Sequence, residues 1–259
     1  MNNSKKAKIR QDKIRDMLLT QDVVTIHEFC EKLHASEATI RNDLTFLESQ
    51  HVLKRVLGGA ISTEGTPRNT SLHLRTALYN EDKQNIAAYA VKHYIEPGMT
   101  IALDAGTTCR FIAQALVESK IPVQVITNNF HAASILMKGE QIDLFLAGGR
   151  IDRNHGSCHD DNTLDMINSI HCDRFFLSPN GIDSEAHVTS TAIDEHAAKM
   201  AFIHQSDQIV LVADHSKIGK SAIKVICRLE DAAVLITDQQ ADRDELQKIE
   251  QCGLHVEQA

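Results

Sequence analysis

The chain has 259 residues, of which 42% are hydrophobic and 24% charged, with only twelve glycines and four prolines. This composition excludes collagen-like and low-complexity chains and is typical of one large or two smaller globular domains. The net charge of −8 is uneven, because residues 1–57 carry ten basic and eight acidic side chains while the remainder is strongly acidic. A basic end on an acidic protein indicates that this end meets a polyanion.

Nothing in the sequence indicates export or a membrane. The N-terminal stretch MNNSKKAKIRQDKIRD has no apolar segment, and the longest apolar runs, such as IVLVA from Ile209, are too short to span a bilayer. Six cysteines lie far apart without a C-x-x-C pair, so we expect reduced thiols. We therefore expect a cytoplasmic protein without a membrane partner.

Three short helices and a hairpin are predicted for the first 62 residues. The first helix spans about Lys8–Thr20, and Thr25 caps the second, with Glu28 completing a capping box. Ser36 caps the third helix, which runs to about Gln50. The alternating segment VLKRVLGGAIST, with its two adjacent glycines, predicts a two-stranded hairpin or wing.

After a loose stretch, short apolar runs alternate with helical segments. This alternation predicts an α/β domain with a mostly parallel sheet, because βαβ units produce that rhythm. The predicted domains are residues 1–62, a linker at 63–79, and residues 80–259. The predicted strands are MTIALD, VQVITN, DLFLAG, RFFLSP, QIVLVA and AVLITD. The predicted helices are NEDKQNIAAYAVKHYI, Thr108–Glu118, Phe130–Lys138, Leu164–Ile170, Asp194–Gln205 and Asp242–Gln251.

The third predicted helix has two different faces. Ile40, Leu44 and Leu47 recur at helical spacing, while the opposite face is small and polar, with groups that suit base edges in a DNA major groove. Two helices joined by a tight turn, at about residues 23–42, match a helix-turn-helix. An ordinary solvated helix would show the same periodicity. The candidate DNA-binding residues are Ser36, Ala38, Thr39, Arg41, Asn42, Thr45, Lys54 and Arg55.

The segment TIRNDLTFLE…LKRVLGGA resembles the N-terminal winged helix-turn-helix of the DeoR family of bacterial transcription regulators. The match runs without gaps from Thr39 to Ala60 and includes Arg41, Asp43 and Gly59. The resemblance implies that residues 1–62 bind operator DNA. Asn42 stands where the family usually has a second basic residue, a change that bears on which operator is read.

Polar clusters follow several predicted strands. In LDAGTT, Gly106 permits a tight turn, and the free N–H groups of the helix start can hold a phosphate together with Thr107 and Thr108. Asp104 can accept hydrogen bonds from sugar hydroxyls. Because the carboxyl ends of parallel strands line the ligand crevice of an open sheet, we expect the clusters to converge. Each cluster by itself is also compatible with an ordinary polar loop.

Residues from about Arg75 to Asp238 resemble the effector-sensing domain of the DeoR family, which is similar in fold to ribose-5-phosphate isomerase and CoA-transferase-like enzymes. The resemblance implies a phosphorylated sugar or sugar derivative as effector. Because a dianionic phosphate needs a cation and this domain is net acidic, we expect Lys217 to supply the positive charge. Ala186 and Asp160 stand where the family often has glycine. The candidate effector-binding residues are Asp104, Gly106, Thr107, Thr108, Thr127, Asn128, Gly148, Gly149, Gly181, Asp183, Glu195 and Lys217.

Other functions are weaker interpretations of the same residues. The segment HGSCHDD, residues 155–161, contains metal ligands but no metal-binding spacing, so we expect no metal and no cofactor. Asp104, Asp183, Glu195 and Lys217 could catalyse sugar-phosphate isomerisation, which would make the chain an isomerase-like enzyme with a DNA-binding domain. Alternatively, the C-terminal domain only oligomerises.

A DNA-binding domain joined to a sugar-phosphate pocket favours a sensor over an enzyme, because fold alone does not imply function. We therefore expect a regulator, most simply a repressor of a carbohydrate-utilisation operon, without catalytic residues. We expect this regulator to bind operator DNA and a phosphorylated sugar. Because helix-turn-helix proteins usually bind paired half-sites, we also expect a dimer or tetramer.

Overall fold

A computed structural model describes residues 2–20, 23–50, 52–56, 59–62, 79–153 and 155–259. The chain forms two compact units, Met1–Tyr79 and Asn80–Ala259. The predicted linker, residues 63–79, lies outside the described residues apart from Tyr79. No helix among the described residues is long and apolar enough to cross a membrane.

The N-terminal unit is a three-helix winged fold, as predicted. Its strands form an antiparallel sheet in the order β1-β3-β2, so that β1 adds a strand to the predicted hairpin. The capping box of Thr25 and Glu28 and the cap at Ser36 are confirmed. A Cβ at Gly59 would lie 2.3 Å from the Val24 carbonyl oxygen, so glycine permits the β1–β3 approach. The elements are α1 (Asn2–Thr20), β1 (Val23–Thr25), α2 (Ile26–Leu33), α3 (Glu37–Ser49), β2 (Leu53–Val56) and β3 (Gly59–Ser62).

The C-terminal unit contains six helices and twelve strands among its described residues. The helices are α4 (Asn80–Tyr94), α5 (Thr107–Ser119), α6 (Phe130–Leu136), α7 (Asp161–Asn168), α8 (His196–His204) and α9 (Arg243–Gln251). The strands of the large sheet are β4 (Thr100–Leu103), β5 (Val123–Thr127), β6 (Ile142–Leu146), β9 (Cys172–Leu177), β12 (Ser206–Val212), β14 (Val234–Thr237) and β15 (His255–Gln258). The shorter strands are β7 (Ile151–Asp152), β8 (Ser157–Cys158), β10 (Gly181–Ile182), β11 (His187–Ser190) and β13 (Lys224–Arg228).

The large sheet has the order β15-β14-β12-β9-β4-β5-β6, and every neighbouring pair is parallel. The predicted α/β architecture with a mostly parallel sheet is confirmed, and all six predicted strands lie in it. The seventh strand, β15, and the small antiparallel sheet β10-β11-β13 were not predicted.

Helices cover both faces of the large sheet. Ile86 of α4, Ile112 of α5 and Leu136 of α6 pack in one buried cluster with Ile101 and Val125 of the sheet. A second cluster contains Ile167 of α7, Phe202 of α8 and Ile249 of α9, together with sheet residues Phe175 and Leu211. Burial on both faces explains why the central strands are almost continuously apolar. Because helices cover both faces of the sheet, a ligand would bind at the polar groups that follow the strand ends.

Candidate functional site

Helix α3 turns its apolar stripe inward and is fixed against α1 by a buried carboxylate. Ile40, Leu44 and Leu47 are buried, as the spacing predicts. Asp43 is also buried, and it accepts hydrogen bonds from the Arg10 guanidinium and from Gln11 Nε2, the latter at 3.0 Å. Both partners lie on α1, so this polar contact sets the orientation of α3 relative to α1.

The wing is attached to one flank of α3 through Arg55. Its Nε donates to Glu48 Oε2 at 2.7 Å, and its Nη1 donates to Thr45 Oγ1 at 2.9 Å. Two predicted DNA ligands, Thr45 and Arg55, are therefore neighbours on one surface. The side chain of Lys54, the adjacent predicted ligand on β2, lies outside the described residues.

The outward face of α3 is exposed, as predicted. Arg41 donates from Nη2 to Glu37 Oε1 at 2.7 Å, and the two side chains are 58% and 61% exposed. Ala38 and Asn42 are exposed on the same side. Ser36 and Thr39 share a hydrogen bond of 2.8 Å between their hydroxyls at the helix start.

The prediction of a face made only of small and polar residues is wrong at one position. Phe46, in the C-terminal half of α3, is 50% exposed. Phe46 was missed because, in the sequence, a phenylalanine between Leu44 and Leu47 is hard to distinguish from the apolar stripe. On a helix it lies about 100° from Leu47 and so points away from the core.

The predicted ligand clusters meet at one edge of the large sheet. Leu103 pairs with Phe176 on one side and with Thr127 on the other, and Thr127 pairs with Leu146. Neighbouring strands therefore end at the same level. The structure thus brings together the residues that follow β4, β5, β6 and β9, with those after β12 on the next strand outward.

A buried ion cluster lies at the end of β4. Asp104 Oδ1 accepts a hydrogen bond from Lys199 Nζ, and its Oδ2 accepts one from the Ser178 N–H at 3.1 Å. Lys199 Nζ also lies 3.6 Å from Glu195 Oε2, and Ser157 Oγ donates to Glu195 Oε1 at 3.1 Å. The cluster joins the ends of β4, β8 and β9 to helix α8.

The cluster contains two carboxylates and one ammonium group, and all three residues are buried. Burial raises the pKa of Asp104, with the Glu195 charge adding to the rise and Lys199 opposing it. Burial alone would lower the pKa of Lys199, but the charges of Asp104 and Glu195 raise it instead. Lys199 is therefore a cation at neutral pH that is already matched by its own carboxylates.

Gly106 lies at the N-cap of α5 and offers no side chain to cap the first N–H groups. A Cβ there would lie 2.3 Å from Ser178 Cβ and 2.4 Å from Ser178 Oγ, so the turn between β4 and α5 requires glycine. Thr107 and Thr108 follow in the first turn and are buried. A helix N-terminus of this kind is suited to an anion.

Asparagine side chains hold the neighbouring loop after β5. Thr127 Oγ1 donates to the Leu103 carbonyl at 2.8 Å, and Asn129 Nδ2 donates to the Ala105 carbonyl at 3.1 Å. Asn128 Nδ2 donates to the Cys158 carbonyl at 2.8 Å, while its buried Oδ1 has no hydrogen-bond partner. Thr127 and Asn128 therefore have clear structural contacts, and Asn128 keeps one unused acceptor at the sheet edge.

The loop after β6 is organised by Asp160. Its carboxylate accepts the Arg150 N–H at 2.7 Å and caps α7 through the Thr163 N–H at 3.2 Å. A Cβ at Gly149 would lie 2.1 Å from Asp160 Oδ1, whereas the nearest atom to a Cβ at Gly148 is 3.8 Å away. The side chain of Asp160 thus shapes this loop.

The segment after β9 forms part of the small sheet. A Cβ at Gly181 would lie 2.3 Å from the Lys220 carbonyl oxygen. Asp183 accepts hydrogen bonds from the N–H groups of Glu185 and His187, each at 3.0 Å, and from the Ser221 hydroxyl. Burial raises the pKa of Asp183, but these hydrogen bonds outweigh it and hold that pKa below the usual range.

Ala186 in the same turn has φ 67°, a left-handed conformation that favours glycine. A glycine would fit this position without strain. Ala186 therefore carries a conformational cost in this chain.

Lys217 ends a short 3₁₀ helix, His215–Lys217, directly after β12. Strands β12 and β4 are separated by β9 alone, a lateral distance of about 10 Å between strand axes. Asp214 caps the 3₁₀ helix, and Lys83 of α4 lies 3.8 Å from its Oδ2. Lys217 is thus at the expected edge, on the side away from the loops after β5 and β6.

Among the described residues, the group that combines three metal-ligand side chains at close range is Asp82, His215 and Asp238. Asp238 accepts the His215 backbone N–H at 2.6 Å, and its Oδ1 lies 2.9 Å from His215 Nδ1. These contacts engage His215 Nδ1 and both oxygens of the Asp238 carboxylate, so we assign no metal there. In residues 155–161, Asp160 caps α7 instead of joining such a group.

Sequence reasoning left Ser178, Asn129, Ser157 and Lys199 out of the candidate site. Ser178 follows β9 and Ser157 lies on β8. Neither belongs to a sequence motif that would identify it as a site residue. Glu195 and Lys199 lie four residues apart at the start of a helix, a spacing that places them on one face. That spacing could have identified Lys199 as the cation beside Asp104.

Two family profiles match this chain. The DeoR-like helix-turn-helix domain matches residues 10–66, and the DeoR C terminal sensor domain matches residues 79–239. The chain belongs to the DeoR family of transcriptional regulators. Its N-terminal unit is a DNA-binding winged helix-turn-helix, and its C-terminal unit is the family's sensor domain.

Curated relatives agree with this assignment. The chain is 30% identical to the putative aga operon transcriptional repressor of Escherichia coli O157:H7, over 95% of this chain and 92% of the relative. It is 34% identical to the glycerol-3-phosphate regulon repressor of Escherichia coli K12, over 83% and 84%. It is 32% identical to the L-fucose operon activator of the same strain, over 89% and 94%. These relatives are regulators, and the chain is a transcriptional regulator.

Similarity to solved structures is weaker. Ribose 5 phosphate isomerase A from Neisseria gonorrhoeae aligns with a TM-score of 0.38 and 15% identity over 52% of each chain. A similarity at this level carries no argument about the function of this DeoR-family regulator.

Proposed function

We propose that this regulator represses a carbohydrate-utilisation operon and that a phosphorylated sugar or sugar derivative changes its affinity for the operator. Residues 1–62 act as the DNA-binding domain, residues 63–79 as the linker and residues 80–259 as the effector-binding domain. The regulator acts as a dimer or tetramer on paired half-sites. Two of the three relatives described above are named repressors, which supports repression over activation.

The observation that carries the effector proposal is the uncapped N-terminus of α5 at the carboxyl edge of the sheet. Gly106 brings the first N–H groups of α5 to the edge without a side chain to occupy them. Thr107 and Thr108 lie in that first turn, and Asn128 adds a buried acceptor without a partner on the next strand. A phosphate at the helix start and a hydroxyl at Asn128 would satisfy both features.

The ion cluster of Asp104, Glu195 and Lys199 does not supply the positive charge that a phosphate needs. Lys199 is matched by Asp104 and Glu195, so the cluster offers no excess positive charge to a phosphate. Both Asp104 oxygens already accept hydrogen bonds, so we assign Asp104 to positioning Lys199 and the Ser178 backbone. Lys217 is the cation of the predicted set, and we propose that it contributes positive charge to the phosphate site.

A thermal-shift comparison of sugar phosphates with their unphosphorylated parents tests the effector class. A phosphorylated ligand at a hundredfold excess over its dissociation constant should stabilise the folded state by about 2.7 kcal/mol. The same ligand should alter the affinity for the chain's own promoter in fluorescence anisotropy, because regulation requires different binding to two states. Equal shifts with phosphorylated and free sugars would contradict a phosphate site.

Lys217→Met tests the cation. The variant should lose the thermal shift while still binding promoter DNA, and Lys138→Met, a change at an exposed lysine after α6, should respond like the unaltered protein. A normal ligand response in Lys217→Met would remove Lys217 from the site and leave the helix N-terminus as the remaining candidate.

A further inference from the structure

One arc of helix α3 is left open by its neighbours. Arg55 on the wing contacts Thr45 and Glu48 on one flank, and α1 contacts Asp43 on the other. The core stripe lies between those two contacts on the inner side. The arc that remains on the outer side carries Ala38, Asn42, Phe46 and Ser49, all of them exposed.

Phe46 is the bulky residue of this arc. The core beneath α3 is complete without it, because Ile40, Leu44 and Leu47 are at most 1% exposed. Asn42 lies one helical turn before Phe46 on the same arc, and its amide makes no hydrogen bond among the described residues. The Asn42 amide and the half-exposed ring of Phe46 therefore lie side by side, and both residues are exposed among the described residues of the N-terminal unit.

We infer that Phe46 reads DNA: it contacts the 5-methyl group of a thymine one or two base pairs from the base that Asn42 bonds. The inference rests on the proposed function, since it requires α3 to enter the major groove. The major groove exposes the thymine methyl as an apolar group, and an amide side chain pairs with adenine N6 and N7. One helical turn rises about 5.4 Å and one base step about 3.4 Å, which sets the separation.

The ligand is thus a DNA half-site that contains A·T pairs, in which Asn42 contacts an adenine and Phe46 contacts a nearby thymine. The outer arc of α3 presents an amide and an aromatic ring and no basic side chain. Contacts made by these two groups should give an operator preference that depends on methyl groups and only weakly on salt.

The experiment uses the full-length protein and a duplex selected by it from a randomised library. Each thymine of the selected duplex is replaced in turn by deoxyuridine, which removes the methyl group alone. At one or two positions per half-site, affinity in fluorescence anisotropy should fall about fourfold, the effect of losing one buried methyl-sized group. Phe46→Ala should show no difference between thymine and uracil at those positions, and the two effects should be non-additive in a double-mutant cycle.

Phe130→Ala is the matched control, because Phe130 is a phenylalanine on α6 that is 45% exposed. This variant should keep the full thymine–uracil difference. A wild-type protein that binds the selected duplex with no loss at any uracil position overturns the inference and leaves the proposed function standing, even if Phe46→Ala fails to fold. A wild-type protein that selects no duplex overturns the proposed function together with the inference.

Discussion

Helix α3 and the carboxyl edge of the large sheet use charged side chains in opposite ways. On α3 the Arg41–Glu37 pair is more than half exposed, and the Arg55–Glu48 side chains are 45% and 35% exposed. At the sheet edge the Lys199–Asp104 pair is only 4% and 2% exposed. The first pairs lie in water and can be exchanged for phosphates, whereas the second is part of the interior.

The physical consequence is a difference in what each pair contributes. Exposed ion pairs contribute about 0–1 kcal/mol, so an arginine can leave its glutamate for DNA at small cost. A buried pair is expensive to break, because the remaining charge has neither water nor partner. The exposed face of α3 is therefore adaptable, whereas the charged groups at the sheet edge are held in fixed positions.

The largest expected effect is that of Lys199→Met. Removal of the ammonium group should lower the free energy of unfolding by about 3–5 kcal/mol, because Asp104 and Glu195 lose their buried cation. Urea denaturation followed by circular dichroism measures the change. The loss should become smaller as pH falls, since burial already raises the pKa of Asp104 and its protonated form needs no counter-ion. A loss that is the same at every pH would show that packing and not charge is responsible.

Gly106→Ala should destabilise the C-terminal unit by about 1–3 kcal/mol, because the new Cβ would overlap Ser178 at 2.3 Å. The melting temperature measures this effect. Gly148→Ala is the control from the same edge, where the nearest atom to the added Cβ is 3.8 Å away. Equal destabilisation by both variants would contradict the close approach of β9 to the start of α5.

Arg41→Ala should weaken specific operator binding by about 1–3 kcal/mol if Arg41 bonds a base edge. Its effect on unfolding should stay within about 0.5 kcal/mol, because the side chain is exposed. Fluorescence anisotropy with the selected duplex and with an unrelated duplex separates specific from non-specific binding. Unchanged operator affinity would remove Arg41 from the reading face.

The smallest expected effect is that of Glu37→Gln. Stability should fall by no more than about 0.5 kcal/mol, from the lost contact with Arg41 and the lost charge in the first turn of α3. Operator affinity should rise, because the variant frees Arg41 and removes a negative charge near the DNA. Weaker binding would mean that Glu37 orients Arg41 for recognition and does not compete with DNA for it.

The sequence predicts most of the large sheet because its central strands are buried on both faces. Runs such as VLIT in β14 and QIVLV in β12 are apolar at nearly every position. The strand β15, HVEQ, lies at the sheet edge with only partial burial, so its polar residues give no such signal. The two- to five-residue strands β10, β11 and β13 depend on pairing with each other, which local sequence does not encode.

The sequence also predicts the local features of the candidate site but not its long-range contacts. The turn at Gly106 and the threonines after it are local features of one strand–helix junction. The partnership of Asp104 with Lys199 joins residues 95 positions apart and becomes visible only when α8 packs beside β4. Phe46 was not recognised as part of the outward face, because composition alone cannot distinguish a core residue from an outward one in a helix with apolar neighbours.

The strand order also determines when each unit can fold during synthesis. Strand β4, near the centre of the sheet, pairs with β9, and the Thr100 N–H donates a hydrogen bond to Asp173, 73 positions later in the chain. At about 5–20 residues per second, a ribosome needs roughly 4–15 s to supply that partner. The described strand pairs of the N-terminal unit are complete once Ser62 has been made. In the nascent chain, the described strands of the N-terminal unit can therefore all pair before β9, the partner of one edge of β4, has been synthesised.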